Sequence, residues 1–125
     1  MGLYAKAALI AYDSLCSYSI EPLAAWQSAM EEVTENVSVQ RKGCPRVTFL
    51  ALVYGGYLKG IASHPYLWRV GVLHDRAIDG AKYLLENVEC DAKKLGDHLG
   101  YNDKQGSYDI LLMLMRSDIL VYPSE

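Results

Sequence analysis

At 125 residues the chain has the size of one domain, long enough to bury a core without metal or disulfide staples. A composition of 51% hydrophobic and 22% charged residues excludes a disordered chain. The net charge of -3 lacks the basic surplus from which dedicated nucleic-acid binders draw their affinity, although residues 37–60 carry Arg41, Lys42, Arg46 and Lys59 and no acid, leaving a local basic patch open.

The pattern predicts a mainly α fold, a compact bundle of about six helices in one domain spanning 1–125. Residues 3–17 read as a helix with Leu3, Ala7, Ile10 and Ser14 on one face and Ala8, Tyr12 and Leu15 beside it. Ser19 is placed to cap the next helix and Pro22 to occupy its first turn. Leu23, Trp26, Met30 and Val33 then step by helical intervals, with Glu31, Glu32 and Glu35 on the wet side. Asn36–Lys42 reads as a polar linker. Pro45 suits a first helical position, and a helix over Pro45–Tyr54 ends at Gly55-Gly56; Val47, Thr48, Phe49 and Val53 would also suit a strand. Leu58–Ile61 reads as the exit of a turn and Ala62–Arg69 as a loop.

Val70, Leu73, Ala77, Ala81, Leu84 and Val88 repeat at helical spacing. Asp91 is placed to cap a short helix carrying Ala92, Leu95 and Leu99. Gly100–Ser107 is turn-rich. Tyr108–Met115 is nearly all apolar, so periodicity alone does not separate helix from buried strand, but its Leu and Met content favours helix. The two halves, 3–61 and 70–122, echo each other as a pseudo-repeat of helix-turn-helix-like units. In that alignment Phe49–Leu58 falls on Leu111–Leu120.

Cys16, Cys44 and Cys90 form an odd set with no CxxC pair, which fits a reduced cytoplasm better than secretion. The apolar run Ala7–Tyr12 is short for a signal peptide and Asp13 interrupts it. No stretch approaches the ~20 apolar residues of a membrane span.

Trp26, Lys42-Gly43-Cys44-Pro45-Arg46, Phe49-Leu50 and Lys59-Gly60-Ile61 together resemble the motif string of a family of small bacterial proteins of unknown function. The resemblance is good over residues 4–61 and loose beyond them. It implies a helical bacterial or phage protein and assigns no site.

Cys44 is the sharpest catalytic candidate. It precedes Pro45 at an expected helix start, where helix-end amides and the cations Arg41, Lys42 and Arg46 would favour a thiolate; the plainer reading is a capping residue. The same cations, with Lys59, are candidate contacts for an anion or nucleic acid. His74-Asp75 with Asp79, and the cluster Asp97, His98, Asn102 and Asp103, lack the ligand spacing of a metal site, so no metal and no cofactor is expected. A helix-turn-helix reading needs a helix with a polar outer face, for which Arg46 and Thr48 are the best residues and Tyr108–Met115 is poor. Ten tyrosines against one phenylalanine suggest an interface, with Tyr54, Tyr57, Tyr66 and Trp68 as its surface.

Three functions follow in order of support. The first is a non-enzymatic protein-interaction or regulatory module, a homodimer or a small inhibitor of a bacterial system. The second is a helix-turn-helix or winged-helix nucleic-acid binder. The third is an enzyme using Cys44.

Overall fold

The computed structural model describes residues 2–63, 71–100 and 106–123. Within them lie seven helices and no strand: α1 (Leu3–Ser17), α2 (Pro22–Val33), α3 (Val37–Gln40), α4 (Gly43–Gly55), α5 (Val72–Glu86), α6 (Ala92–Leu99) and α7 (Ser107–Arg116). Six span eight residues or more, and α3 is a single turn. The expectation of a compact helical bundle holds, and the apolar run at 108–115 is helix.

The alanines of α1 set its packing. Ala5, Ala7, Ala8 and Ala11 are buried while Leu3 remains 41% exposed. Ala7 and Ala8 are buried as expected and Ile10, Tyr12 and Leu15 pack against the core, but Leu3 stays outside it and the helix's fully buried residues are all alanines. Small side chains let α2 approach closely, and the bulk comes from Trp26 and Met30 on that helix. Trp26 stacks on Phe49 of α4 with ring centroids 5.2 Å apart and planes at 27°. Its indole Nε1 is buried without a hydrogen-bond partner among the described residues.

Several termini follow from local chemistry. Glu21, not Ser19, precedes α2, and Pro22 takes the first position, where a missing N–H is harmless. The stretch read as a linker contains α3, because the Asn36 side chain accepts from the Val39 N–H at 3.2 Å. Helix α4 begins at Gly43, two residues ahead of Pro45. As expected, Asp91 caps α6 by accepting from the Lys94 N–H at 2.9 Å. Val88 lies beyond α5 and is 70% exposed, so it does not extend that helix's core face of Ala77, Gly80, Ala81 and Leu84.

The ends of α4 and α7 share two equivalent backbone bonds. After α4, the Gly56 N–H donates to the Val53 carbonyl at 3.2 Å and the Tyr57 N–H to the Leu52 carbonyl at 3.0 Å. After α7, the Asp118 N–H donates to Met115 at 3.2 Å and the Ile119 N–H to Leu114 at 2.9 Å. The turning residues are Gly56 at φ 81° and Asp118 at φ 59°. Both exits meet in one antiparallel bridge, Leu58 against Leu120. These positions correspond one to one in the Phe49–Leu58 and Leu111–Leu120 alignment. Around them α4 packs on α5, and α7 packs on α1.

Candidate functional site

Helix α4 is apolar on two faces. Phe49, Leu52 and Val53 enter the core. Val47, Leu50 and Ala51, one helical turn apart along a second stripe, face a cleft of about 650 Å³ between α2, α4 and the start of α5. Leu23 completes the wall from α2, and Val72 and Leu73 from α5. Leu23 is 40% and Val72 64% exposed, so both are apolar side chains left open at the cleft.

Among the described residues, the polar groups lining the cleft are Gln27, Arg46, Tyr54 and His74. Arg46 is half-buried in the first turn of α4, with Nη2 3.9 Å from where a Cβ on Gly43 would stand. It carries the cleft's charge, since no acidic side chain lines it among the described residues. Arg46 also makes no ion pair among those residues. Its end of α4 has no acid in the first turn and no side-chain cap, so the positive end of the helix dipole adds to the same sign. His74 is buried, with Nδ1 3.5 Å from the Asp75 carboxylate.

The expected basic set is divided. Arg41 and Lys42 are exposed just ahead of α4 and Arg46 lies in its first turn, whereas Lys59 lies past the far end of this 13-residue helix, roughly 20 Å along its axis. Lys59 pairs there with Asp118 at 2.8 Å, and this pairing holds the Asp118 carboxyl below its ordinary range. Cys44 is half-buried, and its carbonyl accepts the Thr48 hydroxyl at 2.9 Å.

Two expectations need correction, those for Tyr57 and Thr48. Tyr57 is only 4% exposed and belongs to the core, so it presents no partner surface. Tyr54 is half-buried and lines the cleft; Tyr66 and Trp68 lie outside the described residues. Thr48 is buried rather than outward, because its hydroxyl is satisfied one turn back along its own helix. Helix α7, as expected of Tyr108–Met115, is a poor reading helix: it buries Tyr108, Ile110, Leu111, Leu112 and Leu114.

The acidic and histidine clusters also separate. Asp79 Oδ1 lies 3.2 Å from His98 Nε2, and the His98 ring stacks on Tyr83 at 4.0 Å, tying α5 to α6. Asn102 and Asp103 lie outside the described residues. Among the described residues no three His, Cys, Asp or Glu side chains gather as a metal site requires.

Of the cleft's lining, the sequence singles out Arg46, Tyr54 and His74 for other reasons, places Leu23 and Leu73 on helix core faces, and leaves Val47 equally suited to a strand. The available signal was the apolar run from Phe49 to Tyr54, with Val47 just ahead of Thr48, which is too wide for one buried stripe.

No helix among the described residues is long and apolar enough to cross a membrane. No curated protein and no solved structure matches the chain. A family profile matches residues 1–121, and the chain belongs to the family of unknown function DUF6979.

Proposed function

We propose that the protein is a non-enzymatic regulatory module that binds through the α2–α4–α5 cleft. One observation carries this reading: an apolar-walled space of about 650 Å³ bordered by exposed Leu23 and Val72. Its size lies in the range of ligand pockets, and a few polar groups on an apolar wall are how such pockets orient what they hold. The alternative of nucleic-acid binding draws, among the described residues of the expected basic set, on exposed Arg41 and Lys42 beside half-buried Arg46, with Lys59 apart and paired to Asp118. These cations are few against the phosphate contacts that such binding uses.

The test is a neutral apolar dye, Nile red, titrated into the full chain. Saturable fluorescence enhancement is expected, with a loss of at least about tenfold in affinity in Leu50→Trp, which fills the cleft from a half-buried position. Absence of saturable binding, or unchanged binding in a folded Leu50→Trp, contradicts the reading.

A further inference from the structure

We infer that the cleft takes a small amphipathic carboxylate, a free medium-chain acid, with its headgroup on Arg46 and its hydrocarbon along Leu50, Val72 and Leu73. The inference rests on the cleft reading above and adds the class of ligand.

Charge selects the headgroup. Arg46 is cationic, half-buried, and unpaired with any acid among the described residues. A guanidinium in a partly dry site is most strongly satisfied by a planar carboxylate, which accepts two parallel N–H bonds. The lining that is described contains no acid to compete or repel. Gln27, which lines the cleft from α2, adds an amide donor.

Shape and polarity select the tail. Beyond Arg46 the wall runs through Val47, Leu50 and Ala51 on one side and Val72 and Leu73 on the other. A hydrocarbon chain gains roughly 0.8 kcal/mol for each methylene it buries. A volume of about 650 Å³ suits a compact ligand of this kind. An amphipathic helix from a partner would instead need a long open groove to seat anchors over several turns.

The experiment is calorimetric titration of decanoate and of decanol, which share a tail and differ in headgroup charge, below their aggregation limits. Wild type, Arg46→Gln and Arg46→Lys are compared, each checked by thermal unfolding. Decanoate should bind wild type at least about tenfold more tightly than decanol, a gap of roughly 1.4 kcal/mol. Arg46→Gln should level the two, and Arg46→Lys should retain part of the gap. Equal binding of decanoate and decanol to wild type overturns the carboxylate inference and leaves the cleft reading standing. Silence of decanoate while Nile red still binds does the same and points to a different occupant. Silence of both ligands together with the dye removes the inference and the cleft reading. The wild-type comparison decides the matter even if a variant fails to fold.

Discussion

Leu58 and Leu120 face each other where the exits of α4 and α7 meet. The Lys59 N–H donates to the Ile119 carbonyl and the Val121 N–H to the Tyr57 carbonyl, each at 2.8 Å. Both leucines are buried, at 1% and 4% exposure. A single pair of bonds has little strength of its own, so the join depends on the side chains beneath it. Leu58→Ala and Leu120→Ala should each cost about 2–5 kcal/mol by urea unfolding. Because the two sites adjoin, the double variant should depart from additivity by at least about 0.5 kcal/mol. Strict additivity would mean that the two exits are energetically independent.

The glycines beside this bridge separate backbone strain from crowding. Gly60 has φ 80° with nothing within 4 Å of an added Cβ, while Gly56 has φ 81° and its Cβ would stand 2.9 Å from Ser63 Cβ and 3.3 Å from Pro123 Cβ. Gly60→Ala should lose only the left-handed backbone penalty, about 1–2 kcal/mol. Gly56→Ala should lose that and a further ~1–3 kcal/mol for overpacking. Equal thermal shifts for the two variants would show that the contacts around Gly56 yield freely.

The unpaired indole of Trp26 predicts an asymmetric pair of substitutions. Trp26→Ala removes a fully buried ring that stacks on Phe49 and should cost about 3–5 kcal/mol. Trp26→Phe keeps a ring and removes a buried donor with no partner among the described residues. Releasing such a donor returns about 1–3 kcal/mol, which offsets the smaller ring, so the net change should be under ~2 kcal/mol. Denaturant midpoints of the two variants check the difference, and a Phe variant as damaged as the Ala variant contradicts it.

Tyr12 contributes to the alkaline limb of stability, alongside Tyr4, Tyr57 and Cys90, whose pKa values burial also raises. Its hydroxyl donates to the Lys59 carbonyl. Burial first, then the hydrogen bond and charge of Cys16 and the charge of Asp13, push its pKa from 10.0 up to about 12. The folded protein therefore holds this proton more tightly than the unfolded chain. The contribution is whole below pH 10.0 and is lost as pH rises towards about 12. Tyr12→Phe should flatten the fall of stability with pH across that window. An alkaline slope unchanged in Tyr12→Phe would assign the loss to other groups.

The fold was legible where one rule decided. The Asp91 cap, Pro22 at a first position and the glycine stop after Tyr54 each depend on a few adjacent residues, and each stands where local chemistry put it. The buried face of α1 was legible only in part: periodicity picks out Ala7 and Ala8 but ranks Leu3 with them and passes over Ala5 and Ala11, whereas close helix packing against Trp26 and Met30 prefers the small side chain. Tyr57 was misplaced for a related reason. A tyrosine near glycines resembles a surface cluster, but the tight turn after α4 carries it inward, its N–H bonded to Leu52. The cleft was hidden because it is made by three helices at once. Leu23, Leu50 and Val72 are unremarkable singly and share a wall only after α2, α4 and α5 have packed. Arg46 was visible as a cation, but its division from Lys59 needed the length and direction of α4.

The cleft as the binding site is tested most directly by amide and methyl chemical-shift mapping of the full chain titrated with decanoate. Saturable shifts should concentrate on Leu23, Arg46, Val47, Leu50, Val72 and Leu73, the residues that line it, while the α6 residues around Lys94 stay still. Shifts that spread evenly over the surface, gather elsewhere, or fail to saturate would contradict the claim.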